Sequence, residues 1–313
     1  MALHIVYRST GGENRKSRPP YYSKTLALAS FLRAVDELDE VPEILFVNDG
    51  PIPADRLELM RGRGELIPIH GGDARRSFRA AVSVAVRRGW PPGDLVWFAE
   101  DDYLYTPAAL RLLLAAGRTL RHADYLSMHG FLALDTASPR TRPAPLPLPR
   151  SEGARDVTEV DGVRWYRGMS TTSTFAVRAE VLAADRRLLR LVPWSGGAWD
   201  FATCMTYQGL QPFEWSHVRA ELMPFRREPI GCWPRAMWRG ALRAVVNVRS
   251  RRRPENRRTF YAADPEPISH MEEPNCADGF DWFAHAHSAR MWAQARGAQL
   301  SDWRSPRQAP SAS

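Results

Sequence analysis

Short apolar runs and amphipathic stretches alternate along the first 130 residues of the chain. Runs of about five apolar residues predict buried strands, and apolar residues spaced three or four apart predict helices. The strands predicted in this way are residues 3–7, 43–47, 66–69 and 95–99, and the helices are residues 23–38, 75–88 and 107–120. Strands that alternate with helices through short loops indicate a doubly wound α/β sheet with helices on both faces.

Capping and turn residues support several of these boundaries. Ser23 is placed to cap the first helix. Thr106 followed by Pro107 is typical of the N-cap and the first position of a helix. The sequence NDGP at residues 48–51 is a strong turn signal, which ends the second strand.

The second half of the chain is less regular. Residues 139–150 alternate proline with apolar residues, which predicts a stiff extended loop. Residues 165–177 alternate well enough for strands, and residues 178–191 predict a helix. Residues 235–258 are dense in arginine and are predicted to form a solvated basic loop.

Polar residues follow each predicted strand, at the edge where ligands bind in doubly wound sheets. Arg8, Asp49 and the Gly-Gly pair at 71–72 follow three strands, and the strand at 95–99 runs into three acids at 100–102. Adjacent carboxylates repel one another unless cations are present. Carboxylate oxygens are ligands that Mg²⁺ and Mn²⁺ prefer, and such a metal can bridge to a diphosphate. The pattern favours a metal site, with a solvated acidic turn as the plain alternative.

Three segments resemble motifs of GT-A-fold glycosyltransferases, particularly the large family 2 type. Residues 95–110 (LVWFAEDDYLYTPAAL) resemble the metal-binding segment, in which an apolar strand ends in an Asp-x-Asp-like cluster before a proline and a helix. Residues 44–50 (ILFVNDG) are similar to the V-D-D-G-S strand end, and residues 74–80 (ARRSFRA) to the A-R-N-x-G helix start. The chain departs from the family pattern at residues 6–9 (VYRS for P-x-Y-N), at Glu100 in place of Asp, and at the missing asparagine of A-R-N.

This resemblance implies a GT-A-type, Rossmann-like mixed sheet flanked by helices, with a less regular acceptor-side C-terminal half. It also implies a metal-dependent glycosyltransferase that moves a sugar from a UDP- or GDP-sugar donor to a hydroxyl acceptor, with inversion favoured and retention left open. The implied parts of the chain are a donor-binding half at 1–130, an acceptor-binding and catalytic half at 131–230, an Arg-rich segment at 231–300 and a disordered tail at 301–313.

The resemblance also assigns donor-binding residues by position. Asp102 would ligate Mn²⁺ or Mg²⁺ directly, and its two acidic neighbours would hold the ribose or a metal-bound water. Asp49 would accept a hydrogen bond from the base, and Arg8 and Arg79 would face the nucleotide or its phosphates. For Arg79, a solvent-facing helical arginine is an equal interpretation. The donor-binding residues implied are Tyr7, Arg8, Asp49, Arg79, Glu100 and Asp101.

An acid at a helix start supplies the catalytic base in the resembling family, and Asp200 is the candidate here. The base takes the proton from the acceptor hydroxyl. Gly196 and Gly197 let the backbone approach a ligand, and Trp194 and Trp199 offer flat faces for sugar stacking. The alternative is that Asp200 is a plain acid at a helix N-terminus.

In several GT-A enzymes, a histidine far downstream in the sequence completes the metal site. His270 is the candidate here because it follows an extended, proline-flanked segment. His285 and His287 compete for this role, but on a helix they point to different faces. Residues 171–178 are similar to the strand that lies across the donor sugar in these enzymes.

Composition narrows the function classes further. The 313 residues are 44% apolar and 25% charged, which suits a globular protein with a sizeable core. No apolar run reaches the 18 residues of a membrane span, and the N-terminus lacks a signal-peptide pattern, so we expect a cytoplasmic protein. Cys204, Cys232 and Cys276 form no C-x-x-C pair, which argues against a disulfide framework or zinc site and predicts reduced, buried thiols.

Two other functions stay open at this level. The net charge is +8, with Lys16 and Lys24 the only lysines among 43 basic residues, so an Arg-rich nucleic-acid-binding protein is one alternative. The second alternative is a nucleotidyltransferase on a related sheet. Residues 10–16 weakly resemble the Gly-rich loop of such enzymes. The arginine-dense stretch also suits binding to anionic lipid or to an acidic acceptor. The hydroxyl acceptor of a glycosyl transfer could be a saccharide, a lipid-linked sugar or a small molecule. The chain lacks a P-loop and a G-x-G-x-x-G motif, which disfavours an NTPase or a dehydrogenase.

Overall fold

A nine-stranded mixed sheet forms the centre of the computed structural model, which describes residues 1–13, 16–130, 157–224, 230–298 and 300. The strand order in this sheet is β3-β2-β1-β4-β9-β6-β10-β8-β7, and β11 pairs with β5 in a separate ribbon. The strands are β1 (Leu3–Thr10), β2 (Glu43–Asp49), β3 (Glu65–Ile69), β4 (Leu95–Glu100), β5 (Tyr103–Tyr105), β6 (Tyr125–Ser127), β7 (Val157–Val160), β8 (Val163–Arg167), β9 (Phe175–Arg178), β10 (Phe260–Asp264) and β11 (Ile268–His270).

Strand direction places several strand ends at one edge. Strands β1 to β4 are mutually parallel, and β9 runs antiparallel between β4 and β6. Strand β10 is parallel to β6 and antiparallel to β8. The carboxyl ends of β1, β2, β4 and β6 therefore meet the beginning of β9. Ligands bind at this edge in open α/β sheets.

Helices cover both faces of the sheet, which confirms the predicted α/β fold class. One core packs Ile5, Tyr7 and Trp97 under α1 and α4, and the other packs Val6 and Phe98 under α3, α5 and α6. The helices are α1 (Lys24–Asp36), α2 (Ala54–Met60), α3 (Ala74–Arg88), α4 (Ala109–Thr119), α5 (Ala179–Leu191), α6 (Trp199–Tyr207), α7 (Trp215–Leu222), α8 (Trp233–Ser250) and α9 (Trp282–Gln294).

Most predicted elements are present with small shifts in their ends. The Ser23 hydroxyl accepts a hydrogen bond from the Leu26 amide at 2.9 Å, so the predicted cap of α1 is confirmed. The predicted Thr106 cap is wrong, because α4 begins at Ala109. The Thr106 amide instead donates to Pro267 O at 3.0 Å, which extends the pairing of β5 with β11 and delays the helix.

The segment after β10 returns to the end of β4 and so positions the site. In the β5–β11 ribbon, Ile268 pairs with Tyr105 and His270 pairs with Tyr103. Strand β10 itself lies within the main sheet, between β6 and β8. The sheet thus contains strands from the three segments predicted as functional parts, residues 1–130, 131–230 and 231–300. The division of the chain into these parts stays a prediction.

Two predicted features, the loop at 139–150 and the tail at 301–313, lie outside the described residues. Within the described ranges, no helix has the length and apolar content needed to cross a membrane.

Candidate active site

The three consecutive acids at the end of β4 have three different environments. The alternation along β4 places Trp97 and Ala99 in the core under α1, and Phe98 in the core under α3. Because successive side chains of a strand point to opposite faces, Glu100 lies on the α3 face. The register pairs Glu100 with Arg8 of β1.

Glu100 is bound to Arg8 and to the segment before β9. Arg8 forms a salt bridge with Glu100 and donates a hydrogen bond to Ala74 O at 3.3 Å. The Thr174 hydroxyl donates to Glu100 Oε2 at 3.1 Å. Burial raises the pKa of Glu100, while Arg8 opposes the shift. The structure brings the predicted residues Arg8 and Glu100 together, and their contact with a donor stays a prediction.

Asp101 anchors the loop that follows β1. Its Oδ2 accepts from the Thr10 amide at 2.8 Å and the Ser9 hydroxyl at 3.2 Å, and it lies 3.3 Å from both Lys24 Nζ and Arg56 Nη1. Lys24 also donates to Gly12 O at 2.6 Å. Burial raises the pKa of Asp101, and Lys24 opposes the shift. These contacts stabilise the start of the loop, and the contact of Asp101 with the ribose or a metal-bound water stays a prediction.

Asp102 meets the predicted histidine across a large sequence distance. His270 Nε2 lies 3.2 Å from Asp102 Oδ2, and the Met271 amide donates to Asp102 O at 2.9 Å. The His270 ring stacks on Tyr103, with 4.7 Å between centroids. Both Nη atoms of Arg18 lie 3.3 Å from Asp102 Oδ2. Burial by itself would raise the pKa of Asp102, but His270 and Arg18 outweigh burial and lower it.

The Asp102–His270 pair fits a divalent cation with a partly open coordination sphere. It offers one carboxylate oxygen and one imidazole nitrogen, which Mn²⁺ accepts and Mg²⁺ accepts less readily. His270 Nδ1 is buried and makes no hydrogen bond within the described residues. In that same part of the chain, no cluster of three or more His, Cys, Asp or Glu forms a complete metal site. A cation held here therefore needs further oxygen ligands from water or a diphosphate.

Two cations beside Asp102 were missed by sequence reasoning. Arg18 donates to Met271 O at 2.6 Å and lies over the Tyr22 ring at 4.2 Å. Lys16 forms a salt bridge with Glu272. Both lie in the polar loop after β1, and the only available signal was the position of that loop at the ligand edge. Arg18 thus places a cation against Asp102, and Lys16 places one against Glu272.

Asp49 organises the turn between β3 and α3. Its Oδ1 accepts from the Gly71 amide at 2.7 Å and the Gly72 amide at 3.1 Å. A Cβ atom at Gly71 would lie 2.8 Å from Ser77 N, so the turn requires glycine there. Asp49 stays at the predicted edge of the sheet, and its contact with a base stays a prediction.

Tyr7 is a core residue, and its predicted role in donor binding is wrong. Its side chain is fully buried, 4.8 Å from the Phe31 ring and 5.8 Å from the Phe46 ring. The alternation along β1 explains the error, because Tyr7 shares the α1 face with Ile5 while Arg8 takes the other face. Burial raises the pKa of Tyr7 well above its ordinary value.

Arg79 lies over an aromatic ring rather than standing free in solvent. Its guanidinium lies 4.8 Å from the Trp194 ring centroid, which is a cation–π contact. Burial and the nearby Arg190 lower the pKa of Arg79. The contact joins α3 to the turn before α6 and covers one ring face of Trp194 that was predicted for sugar stacking.

Asp200 lies in the first turn of α6, on the same side of the sheet as Glu100. Its Oδ1 accepts from the Phe201 amide at 3.0 Å. The preceding Trp199 packs on Phe78 at 5.0 Å, and Phe78 packs on Phe98 of β4 at 6.3 Å. The prediction that a helix opens at Trp199 is confirmed. Its use as a base stays a prediction.

The rival histidines lie in the C-terminal helix, where His285 is half-buried against aromatic rings and His287 is exposed. His285 and His287 lie in α9, and the His285 ring lies 5.8 Å from Phe280 and 5.6 Å from Trp282. Burial lowers the pKa of His285.

The arginine-dense stretch is helix α8 up to Ser250, so the predicted basic loop is wrong for residues 235–250, whereas residues 251–258 lie outside any α-helix or strand. Acids distant in sequence bind four of its arginines. Arg239 Nε and Arg243 Nη1 lie 2.6 and 2.7 Å from Glu221 Oε1. Arg252 Nη2 and Arg258 Nε lie 2.9 and 3.1 Å from the Asp185 carboxylate, which is 3% exposed. Part of the positive charge is therefore used to hold the fold together.

The comparisons with known proteins find likeness only among solved structures. No protein-family model matches, and no curated protein matches. Similar structures include S. aureus TarS 1-349, at 16% identity and TM-score 0.40, which covers 66% of this chain and 54% of that chain. They also include CMP:2-keto-3-deoxy-manno-octonic acid synthetase with CTP, at 16% identity and TM-score 0.38, over 60% of this chain and 78% of that chain. A third is 4-diphosphocytidyl-2C-methyl-D-erythritol synthase, at 13% identity and TM-score 0.38, over 67% and 86%.

The first of these neighbours is a GT-A-like glycosyltransferase, and the other two are nucleotidyltransferases. This chain aligns with about half of the TarS fragment, which is also known in complex with UDP-GlcNAc. All three TM-scores lie below 0.5, a level at which a shared function does not follow from the likeness.

Proposed function

We propose that this protein is a metal-dependent, inverting glycosyltransferase that moves a sugar from a UDP- or GDP-sugar to a hydroxyl acceptor. The observation that carries the proposal is the 3.2 Å approach of His270 Nε2 to Asp102 Oδ2 at the carboxyl edge of β4. A carboxylate, an imidazole and the nearby Arg18 suit a diphosphate bound together with a divalent cation.

Asp102 and His270 would hold Mn²⁺ or Mg²⁺. When bound, the cation balances the negative charge that grows on the departing diphosphate. Arg18 and Lys16 bind the phosphate oxygens from the loop after β1 and add to the same stabilisation. Asp101 keeps that loop in place through the Thr10 amide. Arg8 and Glu100 form the floor of the donor site on the α3 side.

Asp200 acts on the acceptor. Its carboxylate takes the proton of the attacking hydroxyl while that oxygen bonds to the anomeric carbon. The bond from the anomeric carbon to the diphosphate breaks with its electron pair, and the nucleoside diphosphate leaves. Support for this role is the position of Asp200 in the first turn of α6, linked through Trp199 and Phe78 to the strand that ends at Glu100.

Thermal unfolding with a panel of nucleotide sugars, in the presence and absence of Mn²⁺, tests which class of donor binds. A ligand that binds the native state raises the melting temperature. Product analysis then tests the reaction. Release of a nucleoside diphosphate with an inverted anomeric centre supports the proposal, and release of pyrophosphate from a nucleoside triphosphate identifies a nucleotidyltransferase instead.

A further inference from the structure

Helix α8 presents an apolar surface to solvent. We define the α8 surface as Met237, Trp238, Ala241, Val245 and Val248. The exposed fractions are 68% for Trp238, 60% for Val248, 45% for Met237 and 43% for Val245. At about 100° per residue these positions share one arc of about 100°, and Trp238 and Val248 are about 15 Å apart along the axis.

Three polar residues of α8 face the protein instead. Arg239 and Arg243 bind Glu221 of α7, and Asn247 is buried and donates to Phe213 O at 2.8 Å. Gly240 allows α7 to approach, because a Cβ there would lie 3.0 Å from Glu221 Cβ and Leu222 N. The helix thus binds α7 through polar side chains and buries Leu242 and Val246, and it leaves a second apolar arc facing solvent, where an ordinary surface helix is polar.

Exposed arginines border this apolar arc. Arg235 lies beside its N-terminal part, and Arg249, Arg251 and Arg253 lie at its C-terminal end. Arg251 lies 6.0 Å from the ring of Trp215, which is 40% exposed on α7. Among the described residues, the exposed acids nearest to α8 in sequence are Glu214 and Glu255, so positive charge predominates around the apolar surface.

We propose that the α8 surface docks onto an anionic lipid bilayer. An interfacial helix buries an apolar arc that carries Trp, and flanking basic residues bind the lipid phosphates. A nucleic acid would match the arginines but would leave the row of Met, Val and Trp side chains without a counterpart. The apolar arc and its basic border are together complementary to one surface, that of a bilayer with anionic headgroups.

Docking would place the predicted acceptor side of the protein near the membrane. Arg243 Nε donates to Ser195 O at 3.0 Å, so α8 holds the turn that leads to Asp200. Helix α8 would then lie between the membrane and that turn, an arrangement that suits an acceptor carried by the membrane, and this consequence alone rests on the proposed function. Vesicle binding is measured without donor or acceptor, so failure of docking and failure of the glycosyl transfer are separate results.

Sedimentation with vesicles of phosphatidylcholine and phosphatidylglycerol (3:1), against pure phosphatidylcholine, tests the docking. We expect binding to the anionic vesicles only. The double variant Arg249→Glu/Arg253→Glu should weaken it by at least about 25-fold, since each basic residue contributes about fivefold. Trp238→Asp/Val248→Asp should abolish it.

The matched control is Arg118→Glu/Arg121→Glu, which changes the net charge equally at exposed positions on and after α4, on the other face of the sheet. It should retain most of the binding. Equal loss in the control and the α8 variants, or no binding by the parent protein, overturns the proposal. Self-association without lipid that Trp238→Asp/Val248→Asp removes, measured by analytical ultracentrifugation, overturns it in favour of a second copy as the occupant.

Discussion

Asp185 binds two arginines of the basic segment after α8. Its replacement by Asn tests how much these salt bridges contribute to the stability of the fold. The carboxylate is 3% exposed and accepts from Arg252, Arg258 and the Tyr125 hydroxyl. Asn keeps the shape of the side chain but removes the negative charge, which leaves Arg252 without this counter-charge and Arg258 with only the Asp124 carboxylate, 3.6 Å from its Nη1.

The magnitude follows from burial. Removal of one partner from a fully buried ion pair costs about 3–5 kcal/mol. The side chains of Arg252 and Arg258 are 17% and 22% exposed, so solvent compensates part of the loss. We therefore expect Asp185→Asn to lower the free energy of unfolding by about 2–4 kcal/mol.

Asp36→Asn is the matched control, because Asp36 also lies in a helix and also pairs with two arginines, Arg63 and Arg296. Asp36 is 30% exposed, and an exposed pair contributes about 0–1 kcal/mol. Urea unfolding followed by tryptophan fluorescence measures both variants. Losses within about 0.5 kcal/mol of each other would refute the argument that Asp185 is a buried anchor.

Three further predictions concern side chains whose surroundings the structure fixes. The Tyr7 hydroxyl is buried and makes no hydrogen bond to the described residues, and such a group costs about 1–3 kcal/mol. Tyr7→Phe should therefore leave donor affinity unchanged and unfolding stability equal or higher in calorimetry; weaker donor binding would return Tyr7 to the donor site. Asp200→Asn should reduce the maximal transfer rate by about 10²–10⁴ with donor affinity retained, as steady-state kinetics would show; an unchanged rate would remove the base assignment. Burial raises the pKa of Cys204 to about 12, so the thiolate that reacts is scarce below that pH, whereas Cys232 is exposed. Iodoacetamide at pH 8 should therefore label Cys232 and spare Cys204, and equal labelling by mass spectrometry would contradict the burial.

The sequence predicted local structure well where one segment determines it. Strands β1 to β4 follow from apolar runs, and the start of α1 follows from the Ser23 hydroxyl. Thr106 failed as a cap because its amide pairs with Pro267, a partner that no local pattern reveals. The same limit applies to residues 235–258, whose arginines suggested a loop, whereas Glu221 and Asp185 supply distant counter-charges.

Only part of the candidate site was predicted, because contacts between distant segments do not follow from local sequence patterns. Asp102 was found because it follows a buried strand, and His270 because it follows an extended segment, and the structure brings the two together. Arg18 was missed because the path of a polar loop does not follow from its composition. Tyr7 was misassigned because the strand alternation, applied to β1, already places it with Ile5 in the core. The thiol of Cys232 is exposed, so the prediction of three buried thiols is wrong for that residue.

Titration calorimetry of UDP and GDP with Mn²⁺ tests the proposed metal-assisted diphosphate site most directly. The parent protein should bind one of these nucleotides with Mn²⁺ and much more weakly without it. Asp102→Asn and His270→Ala should each remove the Mn²⁺-dependent part, while circular dichroism shows an intact fold. Nucleotide binding that is the same with and without Mn²⁺, or that survives both substitutions, would contradict the account.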